Sequence, residues 1–273
     1  MVSFSVASMF FHEYTCPEIF SFVSRAGLDA MEFWLETPDF WLHNQEVDEL
    51  IACRKNHPEL RAVTLHAPIL DLNPCSFNPA VAQVSVEYTL QSIQTAEQIG
   101  AGLVTVHPGR RTAKRPPTPM DFVRFEQYIR ALQEATKESP VRIAIENMEP
   151  AVNSMLCTPE RMREVLDDEP WLLFTLDVAH ALTKGSQEPA RYVELCHDRL
   201  VNVHISRLGN GKPHFPLDRD PGIAGVMEML ADHNFSGTLT LEIEDLNFDR
   251  VLSAEEKIAV LEQDCAFMHD CMV

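Results

Sequence analysis

RIAIENM (residues 142–148) and FTLDVAH (residues 174–180) are the two stretches that decide the fold class. In each, a short run of mainly apolar residues ends on an acidic residue, Glu146 in the first and Asp177 in the second. Runs that stay apolar on both faces are typical of parallel strands buried inside a protein. The two stretches therefore predict neighbouring strands of a parallel sheet, each with a carboxylate at its carboxyl end.

The same kind of run occurs six more times along the chain. Together the runs predict strands at 3–8, 29–34, 61–66, 102–107, 141–146, 171–177, 200–206 and 238–243. Segments with helical spacing lie between them, the clearest at 79–99 before Gly100 and the last at 253–271. Proline next to an N-cap residue marks three further helix starts, at Thr15, Thr158 and Asp220.

Eight strand–helix units in 273 residues predict an α/β protein, a single TIM barrel of (β/α)8 type that forms one domain over residues 1–273. An open, doubly wound sheet is the alternative. That fold would require a glycine-rich nucleotide loop after the first strand, and the sequence SMFFH at 8–12 is not such a loop.

Net charge, cysteine content and the lack of long apolar runs indicate which binding partners and which cell compartment to expect. The chain has 22 Lys and Arg against 41 Asp and Glu, a net charge of -19, which repels nucleic acids and anionic membrane surfaces. Its seven cysteines include no C-x-x-C pair and are typical of reduced thiols. The first residues do not resemble a signal peptide, and no run of about 18 apolar residues could span a bilayer. We therefore expect a cytoplasmic protein that acts on a small molecule, whereas the oligomeric state stays open.

Side chains that bind metals lie at the ends of six consecutive predicted strands. They are His66, His107, Glu146, Asp177, His204 and Glu242. The carboxyl ends of barrel strands meet at one rim, so these side chains can reach a common centre. Burial of so many unpaired carboxylates and imidazoles would cost several kcal/mol each, whereas a divalent cation would bind them. The sequence therefore predicts a metal centre at this rim.

Short motifs at these positions carry a family resemblance. They are HAP at 66–68, HPG at 107–109, ENM at 146–148, DVAH at 177–180, VHIS at 203–206, HFPLD at 214–218 and LEIE at 241–244. The set resembles the xylose-isomerase-like TIM-barrel superfamily, which includes sugar isomerases, epimerases and endonuclease IV. The resemblance covers nearly the whole chain in the right order.

The resemblance implies two sets of metal ligands. Resemblance to the isomerases and epimerases implies a single-metal set of Glu146, Asp177, His204 and Glu242. Endonuclease IV-like hydrolases imply the additional ligands His66, His107, His180 and His214, and all eight residues are present. Where the endonuclease pattern has a carboxylate two residues before its last histidine, this chain has Lys212, whose ammonium would repel a third cation.

We therefore expect two divalent ions, zinc or manganese, with Glu146 as the shared ligand. His66 and His107 would complete one site, and Asp177, His204 and Glu242 the other. The expected reaction is hydrolysis of a phosphoester in a small or medium-sized anionic substrate by a metal-bound hydroxide. The alternative is a sugar or sugar-phosphate isomerase or epimerase in which Glu146 and Glu242 transfer the proton. That reaction leaves His66 and His107 without a role. A non-catalytic binding protein is disfavoured because both carboxylates are present.

Basic and aromatic residues on the same rim are candidates for substrate binding. A basic loop follows strand four and two more cations follow strand seven, which suggests an anionic substrate group in this acidic chain. The candidates are Arg110, Arg111, Arg207, Lys212, His12, Trp34, His180 and His214. Glu32 is a candidate to point into the barrel. The remaining histidines, at 43, 57, 197, 233 and 269, are expected on the surface or the opposite rim.

Overall fold

The structure, a computed structural model, describes residues 2–272. Its strands are β1 (Ser3–Val6), β2 (Ala30–Trp34), β3 (Ala62–His66), β4 (Leu103–Val106), β5 (Arg142–Glu146), β6 (Leu173–Asp177), β7 (Leu200–Ile205), β8 (Arg207–Gly209), β9 (Lys212–Phe215) and β10 (Thr238–Leu241). Its α-helices are α1 (Cys16–Arg25), α2 (Pro38–Leu42), α3 (Val47–Asn56), α4 (Pro79–Ile99), α5 (Pro119–Thr136), α6 (Pro159–Asp168), α7 (Val178–Lys184), α8 (Glu188–Cys196), α9 (Pro221–Asp232) and α10 (Ala254–Met272). Three short 3-10 helices, Ser8–Phe11, His197–Arg199 and Asp245–Asn247, complete the set within 2–272.

Eight of these strands form one sheet in the order β1-β10-β7-β6-β5-β4-β3-β2 within residues 2–272, and its neighbours are parallel. A parallel bridge between Ala7 and Glu32 joins the two end strands. The backbone N–H of Asp29 also donates to the carbonyl of Phe4 over 3.2 Å. The sheet therefore closes into a barrel, and the predicted TIM-barrel fold is confirmed.

The predicted helix starts are confirmed by their caps. Thr15 and Glu18 form a capping box at the start of α1, and the Thr158 hydroxyl accepts a hydrogen bond at the start of α6. The Asp220 side chain accepts two backbone N–H groups at the start of α9. Gly100 ends α4 in the left-handed region at φ 69°, a conformation that glycine adopts without strain.

Two local features differ from the sequence prediction. β1 ends at Val6 because Ser8 begins a 3-10 helix and its hydroxyl accepts the N–H of Trp34 over 2.9 Å instead of extending the strand. The segment after β7, predicted as a loop, contains the antiparallel hairpin β8–β9. In the part of the chain described, none of the helices is long and apolar enough to cross a membrane.

A layer of polar side chains lies inside the barrel, although the strand sequences are apolar on both faces for most of their length. The side chains of Glu32, Thr105, Thr175, Asn202 and Thr240 are all fully buried. They form a continuous set of hydrogen bonds with each other, whereas Oε1 of Glu32 is left without a hydrogen-bond partner and lies 2.8 Å from Nε2 of His204. This layer sits beneath the rim where the predicted metal ligands lie.

A buried carboxyl on α10 predicts a pH-dependent effect on stability. Asp264 is 4% exposed and accepts the N–H of Leu217 over 2.9 Å, and burial raises its pKa to about 6. Because the folded-state pKa lies above the usual value, this group favours folding below about pH 4 and loses that contribution as pH rises through 6. We expect Asp264→Asn, which keeps an acceptor without the charge, to stabilise the protein at pH 7.5 by at most about 3 kcal/mol.

Urea unfolding of both proteins at pH 7.5 and pH 4.5, with chelator present, measures this effect. The gain at pH 4.5 should be only about a third of the gain at pH 7.5, because the pKa of Asp264 is about 4 unfolded and about 6 folded. An equal change in unfolding free energy at both values would contradict a raised pKa for Asp264.

Candidate metal centre

The six predicted metal ligands lie at the carboxyl end of the barrel. His66, Glu146 and Asp177 are the last residues of β3, β5 and β6. His204 lies one residue before the end of β7, and the other two ligands, His107 and Glu242, directly follow β4 and β10. Since all these strands run in the same direction, their ends converge on one centre.

Glu146 lies at the middle of this cluster. Its Oε2 atom is 3.4 Å from Nε2 of His66, 3.2 Å from Nε2 of His107 and 3.4 Å from Nδ1 of His204. Possible ligand atoms fall into three overlapping groups, each within 4.8 Å: His66, His107 and Glu146; Glu146, Asp177, His204 and Glu242; and Asp177, His180 and His214. The geometry thus places Glu146 in two of the three groups.

The second group has the donor chemistry of a divalent metal site. Oδ2 of Asp177, Nδ1 of His204 and Oε2 of Glu242 are buried and have no hydrogen-bond partner among the described residues. Buried polar atoms without partners are costly, and a bound cation removes that cost. Carboxylate oxygen and imidazole nitrogen are ordinary ligands of zinc and manganese, so these residues fit such an ion.

The pKa shifts of the clustered side chains also indicate a site for positive charge. Burial raises the pKa of Asp177 to about 7, with the Glu242 carboxylate adding to the effect. Burial alone would lower the pKa of His180, but Asp177 and Glu146 outweigh it and raise that pKa to about 10. Burial likewise opposes protonation of His204, yet its carboxylate neighbours hold the pKa well above the usual value. The centre therefore attracts positive charge, as either protons or a cation.

A cavity of about 630 Å³ opens above the cluster. Five of the predicted substrate-binding residues line it: His12, Trp34, Arg110, His180 and His214. The Trp34 ring stacks on the His66 ring with centroids 3.8 Å apart, and the indole Nε1 is buried without a partner. A small molecule in this cavity would therefore contact residues of the cluster, such as His107 and Glu242, and the side chain of Trp34.

Comparison with known proteins identifies the family. A family model described as xylose isomerase-like TIM barrel matches residues 20–268. The chain belongs to this family. An uncharacterized protein of Methanocaldococcus jannaschii is 33% identical over 271 residues, which are 98% of each chain.

Solved structures support the fold of this xylose isomerase-like barrel. A D-tagatose 3-epimerase-like protein superposes with a TM-score of 0.77 at 21% identity and covers 100% of both chains. A D-allulose 3-epimerase from Methylomonas sp. superposes with a TM-score of 0.79 at 18% identity and covers 99% of this chain and 98% of its own. At these identities the likeness establishes the fold.

Three residues expected to bind substrate do not line the cavity of this xylose isomerase-like barrel. Arg111 pairs with Asp121 of α5 at 3.4 Å, and Arg207 donates to the Pro216 carbonyl at 3.2 Å and pairs with Asp218. Lys212 is exposed on the hairpin strand β9. The structure therefore favours Arg110 over these three cations as a substrate contact, because Arg111 and Arg207 already pair with acidic residues and Lys212 does not line the cavity.

The structure also bears on the expected effect of Lys212 on a third cation, which stays a prediction. The sequence suggested that His180 and His214 lack a carboxylate and face an ammonium instead. In the structure Asp177 supplies a carboxylate to both histidines, whereas Lys212 is exposed and outside the cavity. The number of metal ions remains a prediction.

Several residues at the site were missed or left undecided by the sequence analysis. The cavity is also lined by the acidic residues Glu149, Glu244 and Asp245, which follow β5 and β10. Glu32 is fully buried beneath the cluster, and its Oε1 lies 2.8 Å from Nε2 of His204. The three loop residues could have been found from their position in the sequence, because each follows a strand end that already carries a predicted ligand.

Proposed function

We propose that this protein is a metal-dependent isomerase or epimerase that moves a proton at the carbon next to the carbonyl group of a small sugar or sugar phosphate. The observation that carries the proposal is the ligand group in which two carboxylates, Glu146 and Glu242, accompany Asp177 and His204, with Glu242 lining the cavity. Family membership and the shared fold with proteins named as sugar 3-epimerases support it.

The chemistry follows from the positions of these side chains. A divalent cation held by Glu146, Asp177, His204 and Glu242 would polarise the carbonyl and hydroxyl oxygens of a sugar. Glu242 borders the cavity and accepts or returns the proton at the reacting carbon, and Glu146 is its partner in the exchange. Burial alone would raise the pKa of both groups, but the adjacent imidazoles hold both well below the usual range, so both are ionised at neutral pH without a metal.

Substrate binding in this proposal uses the polar atoms that face the cavity. His180 and His214 border it, with ring centroids 5.3 Å apart, and His12 and Arg110 line it as well. These donors suit the hydroxyl groups of a sugar, and the apolar lining from Ile69 and Met148 suits its carbon skeleton.

The test is a panel of ketoses and ketose phosphates, beginning with D-allulose and D-tagatose, incubated in D₂O with manganese, cobalt or zinc. We expect a new epimer or isomer and deuterium at the reacting carbon of at least one substrate, with both signals abolished by chelator. Absence of exchange across the panel in metal-loaded protein would contradict the proposal.

Phosphoester hydrolysis, which the sequence alone favoured, is now the second candidate. The comparisons support the epimerase alternative better. The observation that keeps hydrolysis under test is the additional group of His66, His107 and Glu146, which proton transfer at one metal does not use. Paired metal ions in such groups activate water for attack on phosphorus.

Two measurements separate these candidates. Hydrolysis of bis(p-nitrophenyl) phosphate by the metal-loaded protein, abolished in His107→Ala, would favour the hydrolase. Sugar exchange that survives in His107→Ala with one metal equivalent bound would favour the epimerase.

Arg110 predicts how the cavity treats an anionic substrate. It lines the cavity and is exposed, whereas its neighbour Arg111 is tied to Asp121. We expect Arg110→Ala to raise the KM for a phosphorylated substrate by about five- to tenfold at low salt, because one screened ionic contact is lost. The matched control Arg111→Ala should leave KM unchanged, and equal KM values for all three proteins would remove the anion from the proposal.

A further inference from the structure

We propose that Glu32 is a positioning residue for the metal centre, whose carboxylate fixes the His204 ring so that Nε2 carries the proton and Nδ1 faces the metal ligands. The inference rests on the metal centre of the proposed function, but not on the identity of the substrate. It assigns a role to a strand-two residue that lies outside the three ligand groups.

The His204 ring lies between carboxylates on two sides. Its Nε2 atom is 2.8 Å from Oε1 of Glu32, and its Nδ1 atom is 2.8 Å from Oε2 of Glu242 and 3.4 Å from Oε2 of Glu146. Glu32 and His204 are both fully buried. The ring is therefore oriented with one nitrogen toward the ligand group and the other toward the barrel interior.

Carboxylate oxygens lie 2.8 Å from both ring nitrogens of His204, Oε1 of Glu32 at Nε2 and Oε2 of Glu242 at Nδ1. All four atoms are buried without a well-aligned hydrogen-bond partner among the residues described. A bare nitrogen at this distance from a carboxylate would set two lone pairs against each other. At Nδ1 a cation shared with Glu242 would remove this repulsion, whereas Nε2 faces away from the ligand group and needs a proton, so the metal-bound ring would carry its proton on Nε2.

Neighbouring strands hold the Glu32 carboxylate in place. Its Oε2 atom accepts hydrogen bonds from Nδ2 of Asn202 at 2.8 Å, from Oγ1 of Thr105 at 3.3 Å and from Oγ1 of Thr64 at 3.5 Å. Oδ1 of Asn202 in turn accepts from Thr240 at 3.0 Å. With Oε2 anchored by donors on β3, β4 and β7, Oε1 remains directed at the imidazole.

The position of this charge is otherwise unexplained. Barrel interiors are usually filled by branched apolar side chains, and a buried carboxylate is costly without a partner. Among residues 2–272, no lysine or arginine pairs with Glu32, and its charged contact is with His204. A carboxylate that holds the proton on the outer nitrogen of a metal-binding imidazole makes that imidazole a stronger ligand, which accounts for the charge here.

The test is metal affinity in the full chain, measured by competition with a chromophoric chelator using zinc and cobalt. Glu32→Gln keeps the shape and removes the charge, so we expect the metal Kd to rise by about 10- to 100-fold. Glu36→Gln is the matched control: Glu36 lies four residues away, is also buried and bonds to the N–H of Leu70. The control should leave the metal Kd unchanged.

A second measurement reports on the ring itself. In unmodified protein labelled with ¹⁵N-histidine and loaded with zinc, we expect His204 signals of a ring that keeps its proton on Nε2 and binds zinc through Nδ1. The metal-free ring should be protonated on both nitrogens because its carboxylate neighbours hold its pKa well above the usual value. This measurement can still be made if Glu32→Gln does not fold. The milder variant Thr105→Val is also available, and we expect it to weaken metal binding by a smaller factor.

Two results would overturn the proposal: an unchanged metal Kd in folded Glu32→Gln, or a His204 ring that is protonated on Nδ1 and bound to zinc through Nε2. Neither measurement involves substrate. Failure of every sugar to react would therefore contradict the proposed function, whereas the role of Glu32 would be judged on metal binding alone.

Discussion

The Glu146→Gln variant is expected to fold, to bind divalent metal far more weakly and to lose about 10²- to 10⁴-fold in kcat. Glu146 lies within 3.4 Å of a ring nitrogen on each of His66, His107 and His204, and it belongs to two of the three ligand groups. Glutamine keeps the size of the side chain but removes the charge that the cation needs. Folding is expected to survive because the stability of the barrel is spread over its whole core.

Glu149→Gln is the control for this prediction. Glu149 also lines the cavity but belongs to none of the three ligand groups. Metal content by mass spectrometry should fall in Glu146→Gln alone, because Glu149 belongs to none of the ligand groups. Full metal content and full turnover in that variant would show that the assignment of Glu146 is wrong.

The Lys257→Met variant is expected to lose about 2–4 kcal/mol of unfolding free energy. Lys257 is fully buried on α10, and its Nζ atom donates to both carboxylate oxygens of Glu13 at 2.6 and 2.8 Å, to Asp245 at 3.2 Å and to the Phe10 carbonyl at 2.7 Å. Removal of the ammonium leaves two carboxylates next to each other without a cation. Their partial exposure keeps the loss below that of a fully buried pair.

Urea unfolding measures this loss, with Lys137→Met as the control. Lys137 is the residue that follows α5, and it forms an exposed ion pair with Glu134 in that helix. Exposed ion pairs contribute little to stability. We expect the control to change the unfolding free energy by less than about 0.5 kcal/mol. Equal stability of the two variants would show that the buried contacts of Lys257 do not stabilise the fold.

The fold and the convergence of the candidate metal ligands were predictable because both follow from local patterns. A buried parallel strand is visible in a run such as RIAIE, and the residue at its end is visible in the same window. The barrel then brings the strand ends together whatever the detailed packing, so Glu146 and Asp177 could be placed near each other without coordinates.

Other features depended on contacts between distant parts of the chain. Glu32 sits among apolar neighbours in β2, and its partner His204 is 172 positions later, so the local pattern does not reveal the contact. Arg207 and Lys212 follow a strand end, yet the hairpin β8–β9 takes Lys212 outward and Arg207 meets Asp218. Charge and position on a rim are thus weaker guides than the identity of a strand-end residue.

Anomalous diffraction from crystals grown with zinc or cobalt tests the central claim most directly. We predict a peak at about 2.0–2.2 Å from the ligand atoms of Glu146, Asp177, His204 and Glu242. A second peak beside His66 and His107 would show that a second ion binds there. Crystals soaked at saturating metal that show no anomalous peak among these four residues would contradict the account.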